Sequence, residues 1–190
     1  MENQRIRLSK TMLKEGLLEL LQEKPLQKIT ISEICKVSQI NRTTFYKYYG
    51  SQQDLLAEIE SDFLEQLEDG LKPIADQDQD ALTSVLTILH AHRKTFKILA
   101  NAHSQKTFAE HIFKLPAINM IFDNLSKNHL FTEQELPYIR QFIFQGVFAL
   151  LTNWLCSDEP EPVADIASIL IRLRNKLYGE TEVFHHENIQ

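Results

Sequence analysis

The sequence predicts an all-α protein, and three observations predict it. Apolar residues recur three and four positions apart along almost the whole chain, the spacing of one helix face. Strand-like alternation bounded by turn residues is nearly absent. Only five of the 190 residues are glycine, and each stands alone (Gly16, Gly50, Gly70, Gly146, Gly179). Glycine weakens helix interiors, so its scarcity suits an almost wholly helical chain. About nine helices are expected, arranged as an N-terminal three-helix bundle containing a helix-turn-helix and a C-terminal helical domain.

The first helix should run from Arg5 to Glu23, with Leu13, Leu17, Leu20 and Leu21 as its stripe and Ile6 two turns earlier. Lys24-Pro25 stops it, because the residue before proline avoids the helical region. Thr30 with Glu33 three later is a capping box, so Thr30 should start the second helix. Ile31, Ile34 and Cys35 give that helix a buried face, and it ends near Val37. The turn Ser38-Gln39-Ile40 leads to Asn41, a good N-cap for a third helix from Arg42 to Tyr48. Gly50 follows, where a left-handed residue is expected to end the helix. Ser51 with Asp54 is a second capping box and opens the fourth helix, striped by Leu55, Leu56, Ile59, Phe63, Leu64 and Leu67 down to Gly70. Two-turn helices cannot stand alone. The second and third must therefore pack on the first and fourth.

Asp76-Gln77-Asp78-Gln79-Asp80 reads as a loop or a first helical turn, since acids there complement the helix dipole. Helices are then expected at 79–92, 93–101, 105–128, 132–157 and 161–178. Pro116 should kink or break the third of these. Thr132 with Glu135 predicts another capped start. The segment from Tyr138 to Leu155 is apolar on nearly all sides, with Ile139, Phe142, Ile143, Phe144, Val147, Phe148, Leu150, Leu151 and Trp154. A helix apolar all round must be buried all round. In so small a chain that means the domain on one side and a second subunit on the other. Val163, Ile166, Leu170, Leu173 and Leu177 stripe the last helix, and the tail from Glu180 looks frayed.

Composition removes whole classes of function. Hydrophobic residues are 43% and charged residues 24%, an ordinary globular balance. Isolated glycines build neither G-x-G-x-x-G nor a phosphate loop. No apolar run reaches the roughly 18 residues of a membrane helix, and no secretory leader is evident. Two cysteines far apart, Cys35 and Cys156, fit a reducing cytoplasm rather than a disulfide scaffold. Cys35 reads as core, and Cys156 as a buried or interface thiol. No H-x-x-x-H or C-x-x-C pair offers a metal site, although ligands converging from different helices leave zinc sensing open. No nucleophile–base set supports an enzyme, and no cofactor is expected.

The net charge of −6 hides a split. Residues 1–53 carry nine Lys or Arg and five Glu, a balance of +4. Residues 54–190 carry eleven Lys or Arg and twenty-one Asp or Glu, a balance of −10. A basic head on an acidic body points to nucleic acid at one end only. Within the head, a short helix, a three-residue turn and a second short helix form a helix-turn-helix. Phe45 and Tyr49 can face the bundle core. Arg42, Thr43, Tyr46, Lys47 and Tyr48 lie on other faces and supply cationic and hydroxyl donors for phosphates and base edges.

The run from Ile29 to Ile34, continued by Thr43-Thr44-Phe45-Tyr46-Lys47-Tyr48-Tyr49-Gly50-Ser51-Gln52-Gln53-Asp54-Leu55-Leu56, resembles the DNA-binding domain of the TetR/AcrR family of transcriptional regulators. The likeness covers residues 8 to 57. His92 to Leu99 and the Trp154 helix resemble the subgroup of dihydroxyacetone-operon activators. The resemblance implies a helix-turn-helix domain at 1–53, joined through a helix at about 51–71 to a ligand-binding and dimerisation domain at 54–180, with a flexible tail at 181–190. It implies a cytoplasmic homodimer that binds a double-stranded DNA operator as a repressor and answers to a small-molecule effector, with no membrane partner. Arg42 and Thr43 would then reach base edges, Thr44, Tyr46 and Lys47 phosphates, and Tyr48 either. Thr30 would cap the second helix near the DNA backbone. Gln52 stands where the family often has lysine, Gln39 where it has a turn glycine, and Thr43 where it has a small glycine. These departures predict weaker or retuned DNA binding and keep open a second reading, a coactivator working through a protein partner.

The last two helices would supply the dimer interface, with Phe144, Val147, Phe148, Leu151, Trp154, Ile166, Leu170 and Leu173. For the effector, Phe96, Phe113, Phe122 and Phe142 are candidate pocket walls and His92, His103, Asn119 and Gln145 candidate polar handles. The aromatic set reads equally as core.

Overall fold

A computed structural model describes residues 4–75, 81–102, 105–120 and 131–178, and every regular element among them is helical. In order these are α1 (Gln4–Glu23), a 3-10 turn (Leu26–Lys28), α2 (Ile31–Val37), α3 (Arg42–Tyr48), α4 (Gln52–Ala75), α5 (Ala81–Ala91), α6 (Arg93–Ala102), α7 (Gln105–Phe113), a helical piece at 116–120, α8 (Leu136–Cys156) and α9 (Val163–Tyr178).

The head assembles as the sequence requires. Thr30 caps α2 with a complete capping box: its Oγ1 accepts from the Glu33 N–H at 3.3 Å, and its own N–H donates to Glu33 Oε2 at 2.9 Å. Asn41 Oδ1 accepts from the Thr44 N–H at 2.8 Å and starts α3. Leu13, Leu17, Ile34, Phe45 and Leu55 are fully buried, so α1, α2, α3 and α4 share one apolar centre. Gly16 lets α1 lie against the end of α2, since a Cβ there would stand 3.1 Å from Ser38 Cβ and 3.2 Å from the Ser38 nitrogen.

Two expectations need correction. Gly50 does not take the left-handed conformation. Tyr49 ends α3 in extended backbone, and the Gly50 N–H donates to Asp54 at 3.0 Å. Thr132 does not begin α8. Its N–H and hydroxyl both donate to Glu135 at 2.8 Å, closing a separate turn, and α8 starts at Leu136 with Pro137 in its first turn. The break expected at Pro116 is present: α7 ends at Phe113 and a new helical piece opens at Pro116, where a missing N–H costs nothing. The remaining positions assigned to that helix, 121–128, lie outside the described residues, as do the acidic run 76–80 and the tail. The chain covers α8 on one side only: Phe144, Phe148, Trp154 and Leu155 face inward while Tyr138 and Phe142 stand out.

The body is built on phenylalanine. Phe96 and Phe108 meet at 5.5 Å, each meets Phe63 and Phe148, and Phe113 packs on Phe144 at 4.5 Å. These rings join α4, α6, α7 and α8. Trp154 stacks on His90 at 5.5 Å and donates its Nε1–H to the Glu161 carbonyl at 2.8 Å, which fixes the turn into α9. α4 belongs to both halves. Its start follows the helix-turn-helix, and farther along Glu60 meets His111 of α7 at 2.6 Å and Glu68 accepts the Ala117 N–H at 3.1 Å.

Candidate nucleic-acid interface

α3 has seven residues, and successive side chains turn by about 100°. Arg42, Thr43, Tyr46 and Lys47 therefore occupy one arc of about 140°. All four are exposed, and Tyr46 keeps 52% of its surface in solvent. Phe45 points the other way and is fully buried, with Tyr49 beside it at 5.7 Å. Thr44 and Tyr48 lie beyond the arc on the far side of the helix and are half-buried. The Tyr46 phenol stands in water while Phe45 beside it packs inward, so its hydroxyl is free to exchange water for a phosphate oxygen. Lys47 Nζ sits 5.6 Å from the Tyr48 ring centroid, which steadies the lysine beside Tyr46. Arc, hydroxyls and cations together make a surface that can donate to phosphates and read acceptors on base edges.

The turn that aims α3 is strained. Gln39 has φ of 56°, the one positive value for a non-glycine among the described residues. The Ile40 N–H bonds the Cys35 carbonyl at 3.0 Å and Ser38 Oγ donates to the Ile34 carbonyl at 2.7 Å, so the surroundings hold Gln39 in place. Thr30 is exposed at the start of α2, and Gln52, half-buried, begins α4.

Ion pairs that sequence reading missed consume part of the head's charge. Lys14 pairs with Glu58 at 2.7 Å and Asp62 at 2.6 Å, and Lys10 reaches Glu58 at 3.4 Å. The signal was present as two i,i+4 pairs of opposite sign, Lys10–Lys14 and Glu58–Asp62, on helices that must meet. Burial pulls the Lys14 pKa down, but hydrogen bonds to Asp62 and Glu58 outweigh it and leave it raised. Burial likewise pushes Glu58 up, and the Lys14 hydrogen bond and charge bring it below the ordinary range. Lys24 meets Glu33 at 2.5 Å, and with the Thr30 hydrogen bonds it lowers Glu33 to about 2. These cations brace the bundle, leaving Arg42 and Lys47 facing out of it.

The body does not gather the proposed effector residues. Phe96 lies in the ring cluster and Phe113 half-buried beside it. His92, between α5 and α6, and Asn119, in the piece at 116–120, are exposed, and Phe142 and Gln145 are exposed together on α8. His103 and Phe122 lie outside the described residues. The dimer residues divide as well. Phe144, Phe148, Trp154 and Ile166 are buried in the chain's own core, Val147, Leu151 and Leu170 are half-buried, and Leu173 is 48% exposed. The outward stripe of α8 is instead Tyr138, Phe142, Gln145, Gly146, Ala149 and Asn153. Among the described residues, no three His, Cys, Asp or Glu side chains cluster as a metal site, and no helix is long and apolar enough to cross a membrane.

Comparison with known proteins gives consistent matches. Residues 15–59 match the family model described as bacterial regulatory proteins, tetR family, and residues 76–176 match a transcriptional regulator C-terminal region of tetR type. A Bacillus subtilis (strain 168) protein, described as the uncharacterized HTH-type transcriptional regulator YxbF, is 27% identical over 168 residues, 80% of this chain. The chain spans 42% of that relative's length. A TetR transcriptional regulator from Streptococcus agalactiae 2603V is similar in fold, with TM-score 0.64, 20% identity and coverage of 89% of this chain and 94% of that one. The dihydroxyacetone kinase operon activator DhaS is similar at TM-score 0.63 and 15% identity, over 90% of this chain and 97% of its own.

Proposed function

We propose that this chain, which belongs to the TetR family of bacterial transcriptional regulators, reads a double-stranded DNA operator through α3 as a homodimeric, effector-responsive repressor. Membership makes it a regulator of a DNA-binding family and not an enzyme. The operator contacts rest on the chain's own residues. The observation that carries them is the exposed arc of Arg42, Thr43, Tyr46 and Lys47, set on a helix whose other side is locked by Phe45.

We place α3 in the major groove, with Arg42 and Thr43 on base edges and Tyr46 and Lys47 on phosphates. Thr44 and Tyr48 on the far side of α3, Thr30 at the start of α2 and Gln52 at the start of α4 complete the footprint. Residues 1–53 form the reading head and 54–180 the body, with α4 joining them. For self-association we shift the interface by one face of α8, to Tyr138, Phe142, Gly146 and Ala149, with Leu173 of α9 alongside. Small residues at the centre let a second copy approach closely, and exposed aromatics at one end supply apolar area.

Fluorescence anisotropy on duplex DNA from the gene's own upstream region tests the reading. Arg42→Ala with Tyr46→Ala should weaken binding by about 100-fold, as the loss of one base reader and one phosphate donor implies. Affinity should also fall steeply with salt, because phosphate contacts release counterions. Unchanged affinity in the double variant overturns the assignment of α3.

A further inference from the structure

A groove of about 360 Å³ runs along the seam between head and body. Gln22 of α1 forms one wall, Arg93, Lys94, Lys97 and Asn101 of α6 the other, and Asp158 after α8 closes one end. The charge is out of keeping with its surroundings. Residues 54–190 are strongly acidic, yet three of their eleven cations fall within five consecutive positions here. Among the described residues none of the three forms an ion pair, Asp158 included. Arg93 Nη1 is moreover shut off from solvent without a hydrogen-bond partner. Buried guanidinium nitrogens are almost always paired, because an unpaired one forfeits its hydration for nothing. The groove thus gathers three cations against a single carboxylate, Asp158.

We propose that this groove binds a small oxyanion ligand, one carrying phosphate or clustered carboxylates. The volume suits a metabolite and excludes a macromolecule. A guanidinium fork grips two oxygens of a phosphate or carboxylate at once, and rotation of the Arg93 fork toward the groove gives its buried nitrogen a partner. Lys94 and Lys97 add mobile point charges. The amides of Gln22 and Asn101 add neutral donors on opposite walls. Leu21, Ile98 and Leu155 line the rest of the groove and suit the carbon skeleton of such a ligand. Because Gln22 belongs to α1 and the cations to α6, a bound anion bridges head and body. Anion binding here does not depend on the DNA reading, and its test contains no DNA.

The experiment titrates the full-length chain with pyrophosphate and with citrate, against sodium chloride at equal ionic strength. It follows the melting temperature and, for pyrophosphate, the ³¹P line width. At least one of the two anions should raise the melting temperature by several degrees at a hundredfold excess over its Kd. A response to pyrophosphate alone identifies a phosphate ligand, and to citrate alone a carboxylate one. Arg93→Ala with Lys97→Ala should weaken binding at least about tenfold. Arg42→Ala with Lys47→Ala must keep the response, since those cations also attract phosphate. Should Arg93→Ala unfold the chain, Lys97→Glu alone, at an exposed position, carries the test with circular dichroism as its control. Binding unchanged by the α6 substitutions, abolished by the α3 substitutions, or absent for both anions overturns the proposal.

Discussion

α3 and α8 each turn one side inward and the other to solvent, and what they leave outside is opposite in chemistry. α3 buries Phe45 and shows Arg42, Thr43, Tyr46 and Lys47. α8 buries Phe144, Phe148 and Trp154 and still shows Tyr138 at 76% and Phe142 at 70%. The α3 face is a solvated row of donors, whereas the exposed rings of α8 are the kind of apolar patch that marks an interaction surface. The polar face suits an anionic partner, and the apolar face is the one we propose for self-association. One helix is short, capped by Asn41 and held by its neighbours. The other spans 21 residues and packs one side into the chain's core.

The inward side of α3 is where this contrast breaks most readily. Phe45 is fully buried among α1, α2 and α4. Phe45→Ala should cost about 3–5 kcal/mol, the usual range for a large ring removed from a packed core. Urea unfolding of the whole chain measures it, and DNA binding should fail with it. A loss under about 1 kcal/mol would show that α3 is not anchored as described.

Phe142→Glu probes the opposite side of the other helix. The ring makes no part of the chain's own core, so helicity should remain while the dimer gives way to monomer at micromolar concentration. Size-exclusion chromatography with light scattering reads this directly. Coupling to the Phe45 experiment sharpens it: Phe45→Ala should change stability at every concentration, whereas Phe142→Glu should remove only the concentration-dependent part. A variant that stays dimeric moves the interface off this stripe.

The same contrast explains what is legible in the sequence. Local rules build the head. Thr30–Glu33 and Asn41 are signals read over three or four residues, and the ends of α2 and α3 fall where those signals put them. The alternation of buried Phe45 and Tyr49 with exposed Tyr46 and Lys47 follows from the helical period alone. α8 carries no such signal, because apolar residues on every side leave its rotation to long-range packing. Sequence pattern therefore assigns Phe144 and Trp154 to a subunit interface, whereas Phe113 and His90 claim them within the chain. Phe142, a candidate pocket wall by sequence, stands at the surface for the same reason. Ionic pairing across helices is hidden for a related cause. Lys14 counts as head charge until its partners Glu58 and Asp62 are placed opposite it.

Gln39 provides a smaller effect with a definite sign. A left-handed residue with a Cβ costs roughly 1–2 kcal/mol, and glycine removes that strain while adding roughly 0.5–1 kcal/mol of chain entropy. Gln39→Gly should therefore stabilise the chain by up to about 1 kcal/mol in urea unfolding. Its side chain is exposed, so no contact is lost with it. If the strain serves to aim α3, operator affinity should change more than stability does. Equal affinity would show that the turn holds its shape with either residue.

The smallest effect concerns Glu33, and it is diagnostic through pH. Its carboxyl titrates at about 2 in the folded chain against an ordinary 4.5, held down first by the Lys24 hydrogen bond and then by the Thr30 N–H and hydroxyl. A depressed pKa means that the folded state favours the charged form. The stabilisation is fully present above pH 4.5 and drains away as pH falls toward 2. The group is exposed and solvent screens its pair, so the increment is modest. Glu58 and Glu135 are also lowered and titrate in the same acid range, which makes a wild-type profile alone ambiguous. Comparison with Glu33→Gln separates them. The gap in urea midpoint between the two proteins should be constant from about pH 7 to about 5 and shrink steadily below 4.5. A gap that stays constant down to about pH 2.5 would mean that the Lys24 pair contributes nothing and that the cap of α2 rests on Thr30 alone.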